Sequence, residues 1–155
     1  MMTPITATES ILQRVDDAIR HGGDSIAVMD RIAALLHESI PHYTWVGFYL
    51  LEGDMLTLGP YRGKPSPHTR IPLNQGICGA AASQQRTVIV ADVNADPRYL
   101  ACSIETRSEI VVPILFDGIC LGEIDIDSDQ PDAFGASDQS LLEAIAERMA
   151  PKMRT

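Results

Sequence analysis

Positive charge is scarce in this chain: 12 Lys and Arg face 21 Asp and Glu, leaving a formal net charge of −9. A binder of nucleic-acid phosphates or of an anionic membrane needs a concentrated positive surface, so neither partner is expected. Long apolar runs are missing too, and no stretch approaches the ~20 residues of a membrane span. The opening Met1-Met2-Thr3-Pro4-Ile5-Thr6 has no basic flank and no apolar segment, and does not read as a secretory signal. Cysteine is limited to 3 residues, an odd number without close pairing, which builds no disulfide framework. No Cys-x-x-Cys pair or His/Cys cluster occurs, so zinc is not expected. What remains is 155 residues, 45% apolar. Such a chain buries roughly two-thirds of its unfolded surface on folding. It reads as a soluble, reduced, cytoplasmic single domain over 1–155.

Two helical stripes come first. Ile11, Leu12, Val15 and Ile19 share a helical face over 8–21, and Gly22-Gly23 stops it. Asp24 suits the cap of a second helix, whose buried face is Val28, Met29, Ile32, Leu35, Leu36 and Ile40 before Pro41. The pattern then turns β-branched and aromatic. Strands are predicted over 44–51 and 55–58 around the turn Glu52-Gly53-Asp54. The Gly/Pro-rich stretch 59–68 suits no regular element. A short small-residue helix is predicted over 76–83, and a strand over 87–90 before the turn Asn94-Ala95-Asp96-Pro97. Strands 110–116 and 119–126 meet at Asp117-Gly118, a strong hairpin signal. Ser137 is the expected cap of a last helix carrying Leu141, Leu142, Ile145 and Met149. The order implies an α+β fold: a mainly antiparallel sheet with the N- and C-terminal helices on one face.

The segment Gly122-Glu123-Ile124-Asp125-Ile126-Asp127-Ser128 carries the most chemistry. Strand alternation turns Ile124 and Ile126 one way and Glu123, Asp125 and Asp127 the other, about 6.6 Å apart along the strand. At an effective dielectric near 20, two such charges repel by about 2.5 kcal/mol. They either face solvent or line a pocket for an ammonium group or a polarised oxygen; a metal site is the weaker alternative, with no histidine or spaced acidic loop beside them. Glu109 heads the partner strand. An unbroken register from the hairpin sets it opposite Ile126, away from the aspartates. A one-residue bulge near Pro113 would reverse that.

The cysteines differ in setting. Cys102 follows a proline turn in Arg98-Tyr99-Leu100-Ala101-Cys102-Ser103, where a thiol can be accessible. Cys78 stands at a helix start, where it gains from the helix dipole or simply packs. Cys120 alternates with Ile124 and Ile126, which predicts a buried hydrophobe on the face opposite the carboxylates.

Together these segments resemble the free methionine-(R)-sulfoxide reductases, small stand-alone GAF domains. The matching motifs are Trp45-Val46-Gly47-Phe48-Tyr49-Leu50, Leu58-Gly59-Pro60-Tyr61-Arg62-Gly63-Lys64, Gly76-Ile77-Cys78-Gly79, Ala101-Cys102, Ser108-Glu109-Ile110-Val111-Val112-Pro113 and Asp125-Ile126-Asp127-Ser128. The resemblance implies that Cys102 is the catalytic cysteine. It implies that Glu109, Asp125 and Asp127 are pocket acids reached together, and that Trp45 and Tyr49 lie near the substrate. It also implies a homodimer, no cofactor, and thioredoxin or another thiol as reductant. Two departures stand out. His68 occupies the position of the usual resolving cysteine, and Glu123 replaces an apolar residue. Recycling then falls to Cys78 or to an external thiol, and a non-catalytic, ligand-binding sensory GAF module is the alternative function.

Overall fold

Helices form where apolar stripes and caps coincide, and strands where β-branched and aromatic residues alternate. The computed structural model describes residues 6–100 and 105–154. Helices α1 (Ala7–Arg20) and α2 (Ser25–Ser39) are followed by strands β1 (Trp45–Glu52), β2 (Met55–Arg62) and β3 (Arg70–Pro72). Helix α3 (Gly76–Gln84), strand β4 (Val88–Val90), a single 3-10 turn (Val93–Ala95), β5 (Ser108–Phe116), β6 (Ile119–Ser128) and α4 (Ala136–Met153) complete the order.

The Thr6 and Asp24 side chains accept from the backbone N–H groups of Glu9 (3.0 Å) and Ala27 (2.9 Å), starting α1 and α2. The expected cap of α4 needs correction. Ser137 lies in the first turn, Gly135 is the N-cap, and the Asp138 carboxylate accepts from the Gly135 N–H at 3.0 Å. That places a negative group at the positive end of the helix.

The six strands form one sheet in the order β3-β2-β1-β6-β5-β4, with every neighbouring pair antiparallel. The β5–β6 hairpin turns at Asp117 and Gly118, whose φ values of 52° and 76° are those its tight turn requires. Part of the stretch expected to be irregular is strand: β2 runs on to Arg62, with a register shift opposite Gly47–Tyr49 that takes up Gly59 and Pro60. A bulge spares Pro60 the ladder bond it cannot make. The three-residue β3 carries no legible period and escaped the sequence reading.

Each face of the sheet has its own core. On one face α1, α2 and α4 cover Phe48, Ile110, Val112, Ile114, Ile124 and Ile126 with residues such as Met29, Ile32, Leu142 and Met149. Each fully buried side chain of this kind contributes about 1.5–3 kcal/mol. On the other face α3 packs Ile77, Cys78 and Ala81 over Trp45, Tyr49, Val111 and Cys120. The acids lie under this second layer.

Candidate active site

Strand pairing assembles the site in three rungs. Asp127 on β6 lies between Trp45 on β1 and Glu109 on β5; Asp125 lies between Gly47 and Val111; Glu123 lies between Tyr49 and Pro113. The unbroken register expected for the hairpin is therefore overturned. Ile114 pairs with Gly122 but Leu115 with Cys120, so Leu121 is an extra residue and the side-chain alternation flips at it. Gly122 explains why the irregularity sits here: a Cβ on it would lie 2.3 Å from the Tyr49 carbonyl oxygen, so only glycine lets β1 approach so closely. The flip has two consequences. Glu109 shares a face with the aspartates, and Cys120 turns onto that same face, where the sequence had it opposite.

The carboxylates are not a solvated edge. Glu123 is fully buried, and Asp125, Asp127 and Glu109 are 2%, 4% and 5% exposed. Among the described residues none of them makes an ion pair. One oxygen each of Asp125 and Asp127 lacks a hydrogen-bond partner, and the Cys78 thiol is the hydrogen-bonding neighbour of Glu123. The physical consequence is retention of protons. Burial first, and the charge of Asp125 second, push Glu123 and Asp127 well above the ordinary carboxylate range. Glu109 rises likewise, from burial and then the charges of Asp125 and Asp127. Asp125 is raised by burial but held back by hydrogen bonding from Glu109.

Helix α3 brings Cys78 onto this cluster, with its sulfur and one oxygen each of Glu109 and Asp125 all within 4.8 Å of one another. A cysteine at a helix start can gain from the dipole, but here burial and three nearby carboxylates prevail and hold the thiol protonated. A cavity of about 20 Å³ lies at this point, lined by Tyr49, His68, Cys78, Leu100, Glu109 and Asp125 among others. A larger cavity, about 310 Å³, is bordered by Trp45, Lys64, Glu105, Thr106 and Asp127.

Trp45 lines the larger cavity and Tyr49 the smaller. Trp45 stacks on Tyr61 with ring centroids 5.6 Å apart, and its Nε1–H donates to the Lys64 carbonyl at 2.9 Å. Tyr49 donates its hydroxyl to the His68 carbonyl at 2.8 Å. Both bonds pin the 64–68 loop across the site. Gly47 makes room for the indole: a Cβ there would lie 2.3 Å from the Trp45 ring. Lys64 also reaches Glu105 in an exposed ion pair at 2.8 Å. Cys102 falls outside the described residues, but Leu100 and Glu105, its neighbours on either side in sequence, border the two cavities.

Known proteins share this fold. A family model for the GAF domain matches residues 24–151. The free methionine-R-sulfoxide reductase of Escherichia coli is 34% identical over 145 residues, which is 93% of this chain and 87% of the relative. The chain belongs to the GAF-domain family of free methionine-R-sulfoxide reductases. Two solved members of that family superpose closely. The Neisseria meningitidis enzyme, in complex with its substrate, matches with a TM-score of 0.91 and 35% identity, over 99% of this chain and 93% of that one. A type II enzyme from Thermoplasma acidophilum matches with a TM-score of 0.82 and 42% identity, over 84% of this chain and 92% of that one.

Within this reductase-family fold, Trp45, Tyr49, Cys78, Glu109, Asp125 and Asp127 meet on one face of the sheet. Glu123 joins them, and strand alternation alone had marked it. His68 enters through its place in the loop over the acids, and Gly47 and Lys64 through their contacts with Trp45. No sequence signal pointed to Gly47 or Lys64 as parts of the site, because each acts through a contact made in three dimensions.

Proposed function

We propose that this protein reduces free methionine-(R)-sulfoxide to methionine. The observation that carries the reading is the buried face of Glu109, Asp125 and Asp127, acids with no cation among the described residues to balance them. An amino acid's ammonium group supplies that cation, which accounts for a preference for the free amino acid over a peptide-bound residue, whose nitrogen is an uncharged amide. The family relationship supports the same substrate.

In this reading the Cys102 thiolate attacks the sulfoxide sulfur while a protonated pocket acid, Glu109, gives its proton to the oxygen. Oxygen passes to the cysteine: thiol and sulfoxide become sulfenic acid and methionine. A second thiol then condenses with the sulfenic acid, releasing water and forming a disulfide, and a further thiol reduces that bond. The protonated, buried state of Cys78 favours an external thiol, thioredoxin or a small one, over Cys78 as the resolving group. Trp45 and Tyr49 close the sides of the pocket and hold the 64–68 loop over it.

We place the protein, as a single GAF domain over 1–155, in the cytoplasm, where a thiol pool sustains turnover. No helix of the described residues is long and apolar enough to cross a membrane. Sedimentation tests the homodimer that the family resemblance implies. The deciding experiment is a thioredoxin-coupled assay on both epimers of free methionine sulfoxide. Turnover of the R epimer alone is expected. Tight binding without turnover would mark a ligand-binding module instead.

A further inference from the structure

The cluster under α3 has a composition that ammonium recognition does not explain. Carboxylates alone suffice for an ammonium group, yet a thiol stands among them. Cys78 Sγ, a Glu109 oxygen and an Asp125 oxygen lie within 4.8 Å of one another. Asp125 is 2% exposed, and one of its oxygens has no hydrogen-bond partner. The cavity at this point, about 20 Å³, takes one ion stripped of its water but not a hydrated one. Tetrahedral zinc, with bonds of about 2.0–2.3 Å, needs its ligand atoms about 3.4–3.6 Å apart. The sulfur decides the class of ion. Calcium and magnesium take oxygen ligands in larger numbers, whereas a mixed thiolate–carboxylate set suits zinc or cobalt.

The geometry points to a binding site for a thiophilic divalent cation of the zinc class, formed by Cys78, Glu109 and Asp125. The cation displaces the thiol proton and the protons shared among the acids, and both pass to solvent. No oxidation is involved. In the reductase reading Glu109 gives its proton to the sulfoxide oxygen and Asp125 holds the substrate's ammonium group, so metal and substrate exclude each other and zinc silences the enzyme reversibly; this consequence rests on that reading, whereas the metal site itself does not.

Cobalt(II) titrated into reduced, EDTA-treated protein tests the site without any turnover, because a thiolate ligand gives a sulfur-to-cobalt absorption in the near ultraviolet. The parent is expected to show a saturable band at one equivalent, displaced by zinc. Cys78→Ala is expected to lose the band, while Cys120→Ala and Cys102→Ala keep it. Asp125→Asn is expected to keep the band and bind cobalt at least tenfold more weakly. This second variant retains the side chain's size and keeps the test decisive should Cys78→Ala fail to fold. No saturable band in the parent, a band that persists in Cys78→Ala, or unchanged affinity in Asp125→Asn overturns the proposal. Methionine at saturating concentration is expected to weaken cobalt binding. A cobalt affinity indifferent to methionine refutes the shared ammonium pocket and leaves the metal site standing.

Discussion

Replacing Glu123 by Gln tests whether the buried acids keep protons that the unfolded chain loses. An exposed glutamate titrates near ~4.3. In the folded protein Glu123 is raised well above that, first by burial and then by Asp125. A raised carboxyl binds its proton in the native state where the unfolded state has lost it. Its stabilising effect is therefore fully present below the unfolded value and is lost as pH rises through the folded one. Each such proton changes stability by about 1.4 kcal/mol per pH unit. Between the unfolded value and the raised folded one, the parent should lose about 1.4 kcal/mol per pH unit relative to Glu123→Gln, which carries no titrating group there. With a urea m-value of about 2 kcal/mol/M, the parent's midpoint should fall about 0.7 M more per pH unit than the variant's. Glu109, Asp125 and Asp127 are common to both proteins, so the difference between the curves isolates Glu123. Urea unfolding in EDTA at four or five pH values measures it. Midpoints that shift in parallel would show that Glu123 keeps no proton on folding, and the account of the buried acids would be wrong.

Three further outcomes follow from the site. Cys102→Ser should abolish reduction of free methionine-(R)-sulfoxide, whereas Cys120→Ser should keep most of it, since a serine hydroxyl can replace the Cys120 thiol's bond to the Gly122 carbonyl; steady-state rates decide. Asp125→Asn should weaken methionine binding at least tenfold by calorimetry, with little loss of stability in urea, because relief of like-charge repulsion offsets the lost contacts. In Gly47→Ala the new Cβ would lie 2.3 Å from the Trp45 ring, which must move off Tyr61. The overpacking should cost about 1–3 kcal/mol and raise KM. Trp45 is the sole tryptophan, so an unchanged fluorescence spectrum would show that the ring had not moved.

Local chemistry was enough for most elements of this fold, though not for β3 or the full length of β2. The stripes of α1 and α2, the Asp24 cap and the Asp117-Gly118 turn were all legible, because each depends on residues within a few positions of one another. The alternation of Glu123, Asp125 and Asp127 was legible for the same reason. What those acids face was not, because burial comes from α3 laid across the sheet by a distant part of the chain. The sides taken by Glu109 and Cys120 lay further out of reach. Both turn on one extra residue, Leu121, admitted where Gly122 lets the β1 backbone come close. A period-2 pattern cannot register such an insertion, since one added residue flips every later side chain and leaves the alternation intact on either side. The meeting of Cys78 with the acids has no sequence spacing at all: its members come from α3, β5 and β6, and only the packing of that helix onto those strands brings them together.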